Sequence, residues 1–223
     1  MTAILGYVSD VPKENKSMFL LSDDLVIWHY TNKPDEKQEN YEKIFQFNNL
    51  LISFNGEVKL FEVFKKVVKS IPKNIDNISD FQNAVNKVFP CDYFRDRSVI
   101  TSYSRYSNII ILDTQNRILA HHYAGNVWFP AKFYCPFHFE QLPNNLLYHF
   151  GSIVSMKNEL SNTEDSFKKE SNDYIKENIE EQLQISNMLF KETNDICSGI
   201  GKLYSFYLVD KNGEPILKQI DKI

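Results

Sequence analysis

Apolar and polar positions along this chain follow two periods, and the changes of period divide it into blocks. Residues 3–8 are apolar and partly β-branched, which predicts a short buried strand. A polar turn over 10–17, with Pro12 inside it, ends that strand. Residues 18–30 read as strand, polar interruption and strand. Residues 31–42 are polar and charged and read as a loop on a solvated edge. From Lys43 to Phe54 the pattern is that of a hairpin, with Asn48-Asn49 as a two-residue turn that tolerates positive φ.

After Glu57 the period becomes helical. Val58, Phe61, Val63, Phe64, Val67, Val68 and Ile71 form one wide apolar face, and Pro72 stops it. A second helix is expected from about Ser79 to Phe89, capped by Asn77 or Ser79 and ended by Pro90. Residues 98–112 are strand-rich, 113–116 make a turn, and 117–123 return as the hairpin partner. Residues 127–139, aromatic and cut by two prolines, predict a short strand and an irregular loop. Another strand is expected over 145–155. A polar helical stretch runs from about Asp165 to Asp195, and strands at 203–209 and 215–220 flank an Asn212-Gly213 hairpin signal. Strand blocks separated by helix pairs predict an α+β domain spanning 1–223, with helices on the outer faces of stacked antiparallel sheets.

Composition narrows the function. The chain has 223 residues, 43% hydrophobic and 24% charged, enough for a full core and unlike a disordered segment. A net charge of −4 with no basic stripe argues against nucleic-acid binding. No G-x-G-x-x-G or Walker pattern occurs, and the reading calls for no cofactor. The three cysteines, Cys91, Cys135 and Cys197, are widely spaced and read as thiols in a reducing cytosol. Cys135 and His138 form a lone C-x-x-H, for which a core loop is the simpler reading than zinc; no metal is expected. No apolar run reaches about 18 residues and no signal segment opens the chain, so no membrane association is expected and a cytoplasmic protein is.

The candidate chemistry begins at Thr2. A threonine hydroxyl is a weak nucleophile unless a base takes its proton, and a free α-amine with a pKa of about 7.7–8.0 can be that base. Removal of Met1 is required for that. Lys43 would set a positive charge beside the hydroxyl, and a carboxylate should hold Lys43. Asp23 is chosen over Asp24 because strand alternation lets only one of them point inward. The plainer alternative is a surface lysine and a solvated acidic turn. Gly56, at a strand-to-helix junction, offers a backbone N–H to an oxyanion, although Asn-Gly is also simply a good turn. Ser152, after Gly151, and Asp195 are candidates only in combination with these. His121 and His122 alternate faces on a strand and form no metal pair.

In order and spacing these positions resemble the proteasome family of threonine peptidases: proteasome β subunits and the bacterial relatives that pair with an ATP-dependent unfoldase. The resemblance runs through Thr2 in its short apolar strand, Leu21-Ser22-Asp23, Lys43-Ile44, Asn55-Gly56 leading into an amphipathic helix, Gly151-Ser152, Asp195, and the closing strand pair. It implies a four-layer αββα sandwich and a homo-oligomeric ring with enclosed active sites, acting on peptides or unfolded proteins. It implies Thr2 as nucleophile, its own amine as base, Lys43 and Asp23 as activators, Ser152 and Asp195 as supports around the amine, and Gly56 in the oxyanion hole. A non-catalytic ring subunit, or another N-terminal-nucleophile amidase, shares the same pattern.

Overall fold

The structure is a computed structural model. It describes residues 3–8, 18–28, 32–56, 58–89, 108–123, 137–144, 148–151, 204–209 and 215–220. Those residues are mixed α+β, with antiparallel sheets and two helices. They fall into two compact units, one drawn from residues 1–44 and 143–223, the other from 45–142.

The first unit is built on a five-stranded sheet. Its strands are β1 (Ala3–Tyr7), β2 (Met18–Asp23), β10 (Tyr148–Gly151), β11 (Tyr204–Val209) and β12 (Pro215–Ile220). Their order is β10-β1-β2-β11-β12, so β2 is central. All six residues of β2 are buried, the polar Ser22 and Asp23 at its end included. The register sets Ile4 opposite Ser22, Ala3 opposite Gly151, and Tyr204 opposite Asp23.

Beyond β2 the chain makes a small hairpin from β3 (Val26–Trp28) and β4 (Glu36–Gln38). Here the structure corrects the sequence reading of 31–42 as a loop. β4 is a strand, although each of its residues is exposed, so the segment is indeed solvated. Its Glu-Lys-Gln sequence has no apolar face to betray it. The Trp28 indole N–H donates to the Gln38 carbonyl oxygen at 3.1 Å, a side-chain bond that periodicity does not register.

The second unit carries the order β5-β6-β7-β8-β9. These are β5 (Ile44–Phe47), β6 (Leu50–Asn55), β7 (Asn108–Asp113), β8 (Ile118–Tyr123) and β9 (Glu140–Leu142). The β5–β6 turn is Asn48-Asn49, with Asn48 at φ 52°. Asn48 is held there because its side-chain amide donates to the carbonyls of Lys73 and Ile75. Helix α1 (Val58–Ser70) buries Leu60, Phe61, Phe64, Val67 and Val68. Helix α2 (Ile78–Val88) is capped by Asn77, which accepts from the Asp80 amide at 2.9 Å. Phe89 follows in extended backbone with ψ 131°, the conformation the residue before a proline prefers.

Leu50, Ile52, Ile109, Ile111 and Ala120 face the helices' apolar sides in one core, joined by Phe81, Phe137 and Phe139. Phe137 is the hub, edge-on to Phe64, Phe89 and His122 with centroids 5.1, 4.8 and 5.1 Å away. The aromatic, proline-cut pattern predicts an irregular loop up to 139 and no strand after it, whereas β9 follows at once. The polar side of α2 fixes this segment. Asn86 donates to the Phe137 carbonyl and accepts from its amide, and Gln82 accepts from the Phe139 amide at 2.8 Å. Among the described residues, no helix is long and apolar enough to cross a membrane.

Candidate functional site

The first unit contains an ion pair with almost no access to water. Lys43 Nζ lies 2.8 Å from Asp23 Oδ1, and the two side chains are 1% and 0% exposed. Asp23 is delivered by the last position of the central strand β2, whose burial continues to its end. Its second oxygen, Oδ2, accepts from the Leu25 amide at 3.3 Å, and the Ser22 hydroxyl donates to its carbonyl at 3.1 Å. Both carboxylate oxygens therefore have donors.

Lys43 comes from the segment just before β5. Burial pushes its amine below the ordinary lysine value, while the Asp23 carboxylate and then Asp24 pull the other way. A lysine this deeply placed is neither a surface lysine nor part of a solvated turn, so the plainer alternative in the sequence does not hold. Asp24 is buried as well, at 6% exposure, although alternation had turned it outward. It stands one residue past the end of β2, where the two-residue period no longer applies.

Asp24 faces the chain that leads to Lys43. Its Oδ2 accepts from the Asn40 amide at 2.9 Å, and its backbone carbonyl accepts from the Tyr41 amide at 2.9 Å. Asn40 has φ 60°, the left-handed region that asparagine tolerates better than most residues. The sequence reading assigned these groups no role. An asparagine at the end of a charged stretch, three residues before the buried lysine, was the available signal.

The other candidates stand as follows. Gly56 is exposed between β6 and α1 with φ 107°, a backbone state open to glycine and closed to most side chains. It belongs to the second unit, whereas Asp23 and Lys43 belong to the first. Thr2, Ser152 and Asp195 lie outside the described residues, as do the three cysteines and the 165–195 helical stretch. Their sequence neighbours are informative in two cases. Ala3, which follows Thr2, pairs with Gly151, which precedes Ser152. Across β1, Ile4 pairs with Ser22, next to Asp23.

His121 and His122 alternate along β8, half-buried and buried respectively. Burial lowers the His122 imidazole to about 4, and its Nδ1 meets the backbone of His138, 3.2 Å from the amide and 3.0 Å from the carbonyl. It is a core histidine packed on Phe137.

No protein-family model matches the sequence, and no curated protein does. The fold does have solved counterparts. One is the Gly-1 mutant of Anbu from Hyphomicrobium sp. strain MC1, at 10% identity and a TM-score of 0.63, covering 99% of this chain and 87% of that one. Another is BPH of Thiobacillus denitrificans in complex with epoxomicin, at 11% identity and a TM-score of 0.51, covering 94% and 98% respectively. Likeness at this identity speaks for a shared fold and for nothing beyond it.

Proposed function

We propose that this chain is a threonine-type peptidase subunit, with Thr2 as nucleophile once Met1 is removed. The observation that carries the reading is the buried Lys43–Asp23 pair at the end of β2. Ala3 begins the strand that runs alongside β2 and pairs with the residue before Ser152. A buried lysine whose carboxylate partner is fully bonded has little reason to persist for stability alone, because apolar residues of similar volume serve as well.

In the proposed reaction Thr2 Oγ1 adds to the scissile carbonyl carbon as its proton passes to the Thr2 α-amine. The C–N bond then breaks, the leaving amine takes that proton, and the acyl group remains as an ester on Thr2. Water adds to the ester carbonyl and gives a proton to the Thr2 α-amine. The ester C–O bond breaks, and the amine returns the proton to Oγ1. The Lys43 charge favours the neutral amine and stabilises the developing alkoxide. Ser152 and Asp195 would bond the amine, and the Gly56 N–H would meet the oxyanion. The finer architecture belongs to the same proposal: one four-layer αββα domain, assembled with its copies into a ring, taking peptides or unfolded chains, with an ATP-dependent unfoldase as partner.

Intact mass of the protein, purified with and without a threonine-reactive β-lactone, tests the reading. Loss of Met1 and a single adduct, absent in Thr2→Ala while assembly persists, are expected. Retained Met1 with no adduct would replace the peptidase with a non-catalytic ring subunit.

A further inference from the structure

Asp24 takes no part in the reaction above, yet it carries a cost that a merely structural residue would avoid. It is 6% exposed, and among the described residues its Oδ1 has no hydrogen-bond donor. Burial raises its carboxyl above the ordinary value, with the Asp23 charge acting in the same direction. A buried carboxylate with an orphan oxygen is destabilising unless its other contacts matter.

Those contacts are specific. Asp24 uses two acceptors, Oδ2 and its own carbonyl, on two consecutive amides, Asn40 and Tyr41, each at 2.9 Å. The pair of bonds closes the base of the β3–β4 hairpin, whose strands pair Val26 with Gln38. One end of this clamp is covalently next to Asp23, and the other is two residues before Lys43. The 20-residue excursion that separates the two members of the ion pair is therefore short-circuited at Asp24.

We infer that Asp24 is the positioning residue of this site: its grip on Asn40 and Tyr41 sets the backbone that brings the Lys43 ammonium onto Asp23. The side-chain half of the grip needs an acceptor and not a charge. Asparagine, whose Oδ1 can take the Asn40 amide, should serve where alanine does not. The backbone agrees with this view: Asn40 stands in the less populated left-handed region, and the Asp24 carboxylate bonds its amide there.

The test uses the full chain and compares wild type with Asp24→Ala and Asp24→Asn; Asp24→Ser, too short to reach the amide, replaces the alanine variant should that one not fold. The first readout is reductive methylation of native protein, with each lysine followed by peptide mass spectrometry and the exposed Lys69 as internal reference. Lys43 should resist modification in wild type and in Asp24→Asn, and should react about tenfold faster in Asp24→Ala, as local opening of a clamped segment requires. The second readout, which rests on the peptidase reading, is the rate of β-lactone labelling at Thr2. It should fall about tenfold or more in Asp24→Ala and stay within roughly threefold in Asp24→Asn, the scale of loss that misplacing a reacting group produces. Lys43 equally protected in all three proteins overturns the inference, and so does an asparagine variant as impaired as alanine. A wild type that never labels, but whose Lys43 reactivity follows the expected order, ends the peptidase reading and leaves the clamp standing.

Discussion

At the scale of single residues, the Lys43–Asp23 pair is held by geometry and surroundings more than by attraction. Two charges taken out of water need each other, and removing one leaves the other stranded. Lys43→Ala should destabilise the protein by about 3–5 kcal/mol, read as a shift of the urea midpoint. The double variant Lys43→Met with Asp23→Leu should recover most of that loss, because neither member of the pair is then left without its partner. A double variant as unstable as the single one would show that the pair itself, and not the orphaned carboxylate, sets the stability. Sequence reasoning selected Asp23 through strand alternation, and the structure places Asp23 on Lys43. The same rule misjudged Asp24, because the strand ends between the two and burial past that point depends on which loop folds over it. Nothing in the sequence shows that Asn40 and Tyr41 form that cover.

At the scale of elements, what was legible followed from amphipathic periodicity and punctuation. Both helices, with the Asn77 cap and the stop before Pro72, are written in apolar spacing and turn residues, and so are the β5–β6 and β7–β8 turns. Elements without an apolar stripe were not legible: β4 is Glu-Lys-Gln, and β9 is Glu-Gln-Leu, which follows a segment held at Phe139 by a side chain of α2. The cap gives a direct check. Asn77 accepts from the Asp80 amide while its own amide donates to the Asp80 carboxylate at 2.8 Å. Asn77→Ala should cost about 1 kcal/mol of stability in thermal or urea unfolding, and Asn77→Ser should restore most of it. Loss well beyond that would mean that the segment from Lys73 to Asn77, whose carbonyls hold Asn48 and Asn49, unravels with the cap.

At the scale of the whole molecule, stability should depend on acidity through His122. The folded protein holds this ring neutral down to about 4, whereas the unfolded chain protonates near the ordinary value of 6.5. Between those values the unfolded state binds more protons, so stability falls as pH drops from about 6.5 toward 4, by on the order of 3 kcal/mol. Urea unfolding at pH 7 and pH 4.5 should show this slope, and His122→Asn, which cannot titrate there, should flatten it. An unchanged slope in the variant would assign the acid sensitivity to other groups. The topology of the first unit bears on the order of events during synthesis. β2, which ends in Asp23, is paired on one side by β1 close to it in sequence and on the other by β11, where Met18 meets Val209. The second flank of that strand is translated only near the end of the chain, so pairings of this sequence separation form late. On the ribosome the contiguous unit from 45 to 142 can fold first. The strand that presents Asp23 can gain its second neighbour only after residues 204–209 have emerged, since Tyr204 stands opposite Asp23 in the register.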